Sequence, residues 1–325
     1  MTTFKEIRGT AIEVLSSDPS NPETGQIWYN SSSGTLKGYV YATVNAWSAG
    51  GNMNTGRSDL GSAGTQTAAL AFAGYVGGPD SSASESYNGT SWTNTPSLNT
   101  ARSAVSCGVV GTQTASLVSF GYAGGSNTSA TESYNGSSWT SVNSGNTARR
   151  ALGGIGTQTA ALSFGGYTTA NSSASESWNG TSWTTTSSLN TPRRRGAAIG
   201  IQSAALYATG TDGSTFISSM SSWNGTSWTA SPASVNTARE SSNAAGTQTA
   251  GLMFGGYGPT PTGATELWNG TAWTSNPTGL ATARIEMASA GTQTSALAAG
   301  GAPGNLTTTE EWNTQLLQTK TITVS

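Results

Sequence analysis

The sequence predicts an all-β protein, a β-propeller of six blades, and two observations carry that expectation. A segment of about 45 residues recurs: its anchor Gly64-Thr65-Gln66-Thr67 returns, with small changes, at Gly111, Gly156, Gly200, Gly246 and Gly291, at spacings of 47, 45, 44, 46 and 45. A long, regular period marks stacked supersecondary units rather than one irregular core. Each segment also divides into four short runs rich in Val, Thr, Phe and Trp and bounded by Gly and Asn, which read as strands. Four strands per unit is the count of a propeller blade.

The repeat at residues 101 to 143 shows the elements in order. Ala101 to Val110 is a small, apolar, Gly-containing run, the expected innermost strand, broken by Gly111-Thr112-Gln113. Ala115 to Gly121 is the second, Thr131 to Tyr134 the third, and Ser138 to Val142 the fourth. The third and fourth are joined by Asn135-Gly136, as at Asn88, Asn179, Asn224 and Asn269. A two-residue type I′ turn needs positive φ at both central positions, so the dipeptide predicts a tight hairpin. The hydroxyl residues that follow make each site a formal glycosylation sequon. The turn is the preferred reading, because it accounts for both recurring residues and nothing in the chain indicates secretion.

Ring closure is predicted from one displaced residue. A Trp stands five residues after each aromatic of the third strand, at Trp92, Trp139, Trp183, Trp228 and Trp273, but none follows Trp312, while Trp47 stands unmatched before the first repeat. A strand from about Ala42 to Ser48 is therefore expected to complete the last blade and remove a free sheet edge. The rival is that Lys320 to Ser325 supplies that strand locally, or adds one beside it.

A four-stranded repeat with a Gly pair after the second strand (Gly124-Gly125, Gly165-Gly166, Gly255-Gly256, Gly300-Gly301), an aromatic in the third and a Trp in the fourth resembles the kelch propeller over roughly residues 40 to 315. The pattern departs at Gly74-Tyr75, at Ala208-Thr209-Gly210, and at Ser221, which stands where other repeats carry Glu. Residues 1 to 39 form a separate segment with Lys5, Glu6, Arg8, Glu13, Asp18, Glu23 and Lys37, and alternation predicts a hairpin from Gly25-Gln26-Ile27-Trp28-Tyr29-Asn30 and Thr35-Leu36-Lys37-Gly38-Tyr39. Pro22 to Tyr39 is similar to a short hairpin near the start of many bacteriophage tail-fibre and appendage proteins, and the Ser/Thr/Gly/Asn-rich repeats look like those of marine phage structural proteins. That resemblance implies a virion component assembled in a host cytoplasm, with residues 1–39 attaching to other virion proteins and residues 40–325 forming the propeller.

Composition excludes several classes. The chain has no His, which removes His-dependent triads and most transition-metal sites. No catalytic residue, metal or cofactor is expected. Its formal net charge of −2 offers no field for nucleic acid, and no apolar run reaches a membrane span. Cys107 is single and excludes an intrachain disulfide; the plain expectation is a small buried hydrophobe. Glu85, Glu132, Glu176, Glu266 and Glu310 recur at one repeat position and so spread around the ring instead of converging as a glycosidase pair; Asp80 and Asp212 fall in loops.

Asn-Thr-x-Arg, or a near variant, ends at Arg57, Arg102, Arg149, Arg193, Arg239 and Arg284. These arginines either hold an anion near the channel mouth or pair with the blade Glu residues; six Arg against five Glu favours pairing. Arg194 and Arg195 exceed that pattern. Loops between second and third strands vary in sequence, and recognition tends to sit in variable loops on a rigid scaffold. Tyr75, Tyr122, Tyr167, Phe216 and Tyr257 stand near that face and suit stacking on sugar rings, so with Arg194 and Arg195 they are the ligand-binding candidates. The leading expectation is binding of a host surface polysaccharide during adsorption. Alternatives are a purely structural fibre or decoration subunit, homo-oligomeric or not, and a cellular adaptor, which is weaker because the usual partner domains are missing.

Overall fold

The computed structural model describes residues 12–105 and 108–322; Lys5, Glu6, Arg8 and Cys107 lie outside them. Those residues form strands, turns and loops with no helix, and the strands assemble as a β-propeller. Two compact units are present, one of residues up to Asn45 together with those from Asn313 onward, the other Ala46–Trp312.

In the first unit Glu13–Leu15 lies parallel to Ile27–Asn30, which pairs antiparallel with the strand that starts at Thr35. Trp28 is fully buried, and its indole N–H donates to Asp18. Asp18 also accepts from Lys37 and Asn30, and these donors, Lys37 first, hold its carboxyl down at about 2.

In the second unit five blades are each built from one continuous stretch. The blade starting at Gly153 runs Gly153–Gly156, Ala161–Phe164, Ser175–Trp178 and Trp183–Thr186, with neighbours antiparallel in that order. The repeat that follows Arg102 forms a sheet of three strands, Ser116–Ser119, Thr131–Tyr134 and Trp139–Val142. The expected inner strand Ala101–Val110 is not continuous within its described residues. Val109 and Val110 instead bridge in parallel to Ser62 and Gly156 of the flanking blades. A β-carbon on Gly108 would come within 2.1 Å of the Gly154 carbonyl oxygen, so the two segments approach too closely for a side chain there. A further sheet combines the end of Thr35–Ala49, the start of Thr309–Thr321, Ser295–Ala299 and Ala288–Gly291.

Two turn readings need correction. The Asn-Gly hairpins are four-residue loops, not type I′ turns: Tyr87 faces Trp92 directly, and only Gly89 of the Asn-Gly pair has positive φ, at 93°. Asn88 Oδ1 accepts the N–H groups of Thr90 and Ser91 and the hydroxyl of Thr90. The hydroxyl residue therefore recurs because it closes this loop. The Gly pair is also different from the one read by eye. The conserved geometry is a residue near φ 60–70° followed by Gly, at Ala73-Gly74, Phe120-Gly121, Gly165-Gly166, Thr209-Gly210, Gly255-Gly256 and Gly300-Gly301. The second position is Gly in all six, at φ 98–112°, whereas the first, near the left-handed region, also takes Ala73, Phe120 and Thr209. Gly124-Gly125 belongs to a separate small hairpin between Tyr122–Ala123 and Ser126–Asn127.

The core lies between blades. Three outer-strand Trp residues pack edge-on against a Phe of the preceding blade: Trp139 on Phe72, Trp183 on Phe120 and Trp228 on Phe164, at 4.7–5.2 Å. Trp47 does the same to Phe254 at 4.8 Å, meets Trp312 at 5.6 Å, and donates to Thr265 Oγ1 as Trp183 does to Thr131. Residues 320 and 321 end the strand Thr309–Thr321 itself, so they add no separate outer strand.

Replacing Trp47 by Ala is expected to lower unfolding free energy by about 3 kcal/mol, in the range for aromatic truncation. Tyr41→Ala, at a side chain 61% exposed, should change it by no more than about 0.5 kcal/mol. Urea midpoints of the two variants check this.

Candidate functional site

The repeated residues are almost all occupied by the scaffold. Arg57, Arg102, Arg149, Arg193, Arg239 and Arg284 are buried inside the blades rather than displayed at the channel. Five of them meet a blade carboxylate: Arg57–Glu85 and Arg149–Glu176 at 2.8 Å, Arg102–Glu132 and Arg239–Glu266 at 2.5 Å, and Arg284–Glu310. The same carboxylates accept the N–H groups of the motif, as Glu132 does from Asn99 and Thr100. Burial pulls each guanidinium below its ordinary value, and the Glu opposes that pull. Arg193 differs. Where Glu would stand it meets Ser221 Oγ at 2.7 Å, three carbonyls, and the face of Tyr207 at 4.7 Å.

The Gln of each anchor is committed as well. Gln113 donates to Ala69 O and Tyr87 O, Gln202 to Ala161 O and Trp178 O, and Gln66 to Ala296 O and Trp312 O, each in the preceding blade. Asp212 is spent on its own turn, accepting from Ser214 and Thr215, which holds its carboxyl low. Among the described residues no three His, Cys, Asp or Glu gather as a metal would need.

What remains is a pair of positions just after each buried Arg. Two residues beyond it stand Asp59, Ala104, Ala151, Arg195, Ser241 and Glu286, all with φ between 47° and 57°. Their backbones hand hydrogen bonds around the axis: Ala151 N–H to Ala104 O, Arg195 to Ala151, Ser241 to Arg195, Glu286 to Ser241, and Asp59 to Glu286, at 2.7–3.2 Å. One residue beyond the Arg stand Ser58, Ser103, Arg150, Arg194, Glu240 and Ile285. These bridge to Tyr75, Tyr122, Tyr167, Thr211, Tyr257 and Ala302.

The two circles meet at a cavity of about 250 Å³ lined by Ala104, Arg150, Ala151, Tyr167, Arg194, Arg195 and Glu240. Of the sequence candidates, Tyr167, Arg194 and Arg195 line it. Tyr122 stands one place outward, its ring 4.7 Å from the Arg150 guanidinium. Tyr75 and Tyr257 hold the matching bridge positions of other blades. Phe216 bridges to Thr211, which holds the matching position of its blade, and packs against Tyr257 at 5.7 Å. Sequence reasoning missed Arg150, Glu240, Asp59 and Glu286. The available signal was their offset from the repeated Arg, where identity between repeats breaks down.

The mouth is electrically two-sided. Arg150 and Arg194 both lie against Tyr167, at 5.1 and 4.9 Å, and donate to Asn127 Oδ1 and Asn171 Oδ1. Arg195 reaches Glu286 at 2.5 Å and Ser241 Oγ at 3.2 Å. Burial raises Glu240, against the pull of Arg195 and Arg194. Asp59 is pushed up to about 7, by burial first and by Glu286 next, against the pull of Arg195 and Arg150. Comparison of the chain with known protein families and with curated proteins finds no match.

Two outcomes are expected. Glu132→Ala strands the buried Arg102 charge and should cost about 3–5 kcal/mol in urea unfolding. An unfolded Asp carboxyl ionises near 4, roughly, so between there and its folded value of about 7 the native chain holds a proton that the unfolded chain has lost. Stability from this group therefore falls as pH rises through that window and levels off above it. Thermal midpoints of the native protein and Asp59→Asn should diverge across the window, the variant keeping the higher value at its upper end.

Proposed function

We propose that the chain is a non-enzymatic, kelch-like propeller of six blades, the composite sheet counting as the sixth, which serves a bacteriophage virion as a tail-fibre or appendage module and binds a host surface glycan during adsorption. The observation that carries the binding role is the mouth cavity. Its charged walls, Arg150, Arg194, Arg195 and Glu240, are residues that break the repeat, with Tyr167 among them, while the repeated Arg and Glu residues are buried in the scaffold. Tyr167 and Tyr122, interleaved with Arg150 and Arg194, give a stacking surface bordered by charge-bearing hydrogen-bond donors, which suits a saccharide.

Against catalysis stands the commitment of the repeated carboxylates to arginines and backbone N–H groups. The virion assignment rests on the resemblance of residues 22–39 and of the repeat composition. The N-terminal unit adds a physical argument, since it exposes Val14, Tyr29 and Tyr41, apolar surface suited to packing against other virion proteins. The same surface favours a second reading, a purely structural fibre or decoration subunit.

Binding of the labelled full chain to candidate host cells separates the two. Saturable binding, blocked by soluble surface polysaccharide and weakened about tenfold or more by Tyr167→Ala, is expected for an adhesin. Absence of binding at high concentration would favour the structural role.

A further inference from the structure

We infer that the mouth selects an anionic saccharide, one whose carboxylate or sulfate is held by Arg150 and Arg194. The inference rests on the glycan-binding reading above and specifies its ligand class. Among the described residues neither guanidinium makes an ion pair: Arg150 donates to Asn127 Oδ1 at 3.3 Å and Arg194 to Asn171 Oδ1 at 2.8 Å, both neutral acceptors. Arg195, the third cation of the cavity, is matched to Glu286.

Arg150 and Arg194 come from adjacent blades, and the ring of Tyr167 keeps them together, within about 5 Å of each. Stacking and the Asn contacts fix two rigid donor forks at one wall of the cavity, so little side-chain freedom is lost when an anion arrives. An arginine fork matches a carboxylate or sulfate with two parallel hydrogen bonds. Across the cavity Glu240 Oε2 is enclosed and accepts no hydrogen bond from the described residues. It is an acceptor for a sugar hydroxyl, and it keeps the site from being a uniformly positive patch. The chain as a whole carries a formal charge of −2, so attraction of an acidic polymer would be local to this mouth.

The test immobilises two matched pairs of polymers: polygalacturonate with its full methyl ester, and dextran sulfate with dextran. The full chain is passed over each at moderate salt. The acidic member of at least one pair should bind and its neutral partner should bind at least about tenfold more weakly, the loss expected for a charge-assisted hydrogen bond or two. The pair that responds tells carboxylate from sulfate.

Arg150→Gln and Arg194→Gln should each weaken the acidic polymer by a similar factor with an unchanged thermal midpoint, whereas Ile201→Ala, an exposed side chain outside the cavity wall, should leave it unaffected. Equal binding of both members of a pair would overturn the anion selection while leaving a saccharide site in place. Binding of an acidic polymer that survives both Gln substitutions would overturn the assignment to these arginines. If none of the four polymers binds, the inference fails, and the host-cell measurement then decides the broader reading separately.

Discussion

Neutralising a buried guanidinium is the constraint on which the rest of each blade depends. An arginine at 0–1% exposure is costly to keep charged inside a sheet, and a counter-charge or several carbonyl acceptors must offset that cost. In five cases Glu on the third strand supplies the charge, carbonyls at the end of the second strand and just before the third supply acceptors, and the residues that precede the Arg turn their own N–H groups onto the same carboxylate. One interaction thus fixes where the chain leaves an outer strand, how it crosses to the inner one, and which way the third strand faces. The blade with Ser221 shows the limits of substitution: Tyr207 and three carbonyls take over around Arg193, and the backbone path is retained.

Contacts between blades repeat with similar economy. The Gln of each anchor caps a carbonyl of the sheet before it, and Trp183 and Trp228 place the indole N–H on that blade's third strand and the ring on that blade's Phe. The same pair of contacts is made at Trp47, more than two hundred residues before its partner Thr265. A strand from the beginning of the chain therefore presents the same chemistry to its neighbour as a strand supplied locally elsewhere.

Much of this was legible in the sequence because period and punctuation are physical quantities. The spacing of the anchor, the aromatic-to-Trp interval and the displaced Trp47 each correspond to a contact. What misled was identity taken for geometry. Gly124-Gly125 looks like the pair at Gly165-Gly166, yet the structural equivalent is Phe120-Gly121, since only the second place has a φ near 100° that a side chain disfavours. Asn-Gly suggests a two-residue turn, but the Asn side chain caps a four-residue loop instead. Phe216 stands one bridge beyond the position that Tyr75, Tyr122, Tyr167 and Tyr257 hold, with its ring against Tyr257. Asp59 and Glu286 were hardest to find because what they share with Arg195 is a backbone angle, which a sequence does not display.

That backbone angle has an evolutionary consequence. At the position two beyond each buried Arg, the chain carries Asp, Ala, Ala, Arg, Ser and Glu in the same left-handed conformation, linked one to the next by five main-chain hydrogen bonds. The frame is thus indifferent to what it displays, and charge, size or polarity can be exchanged there without disturbing the blades. Selection can redraw the chemistry of the mouth one residue at a time, so that related chains would be expected to differ in preference long before they differ in architecture.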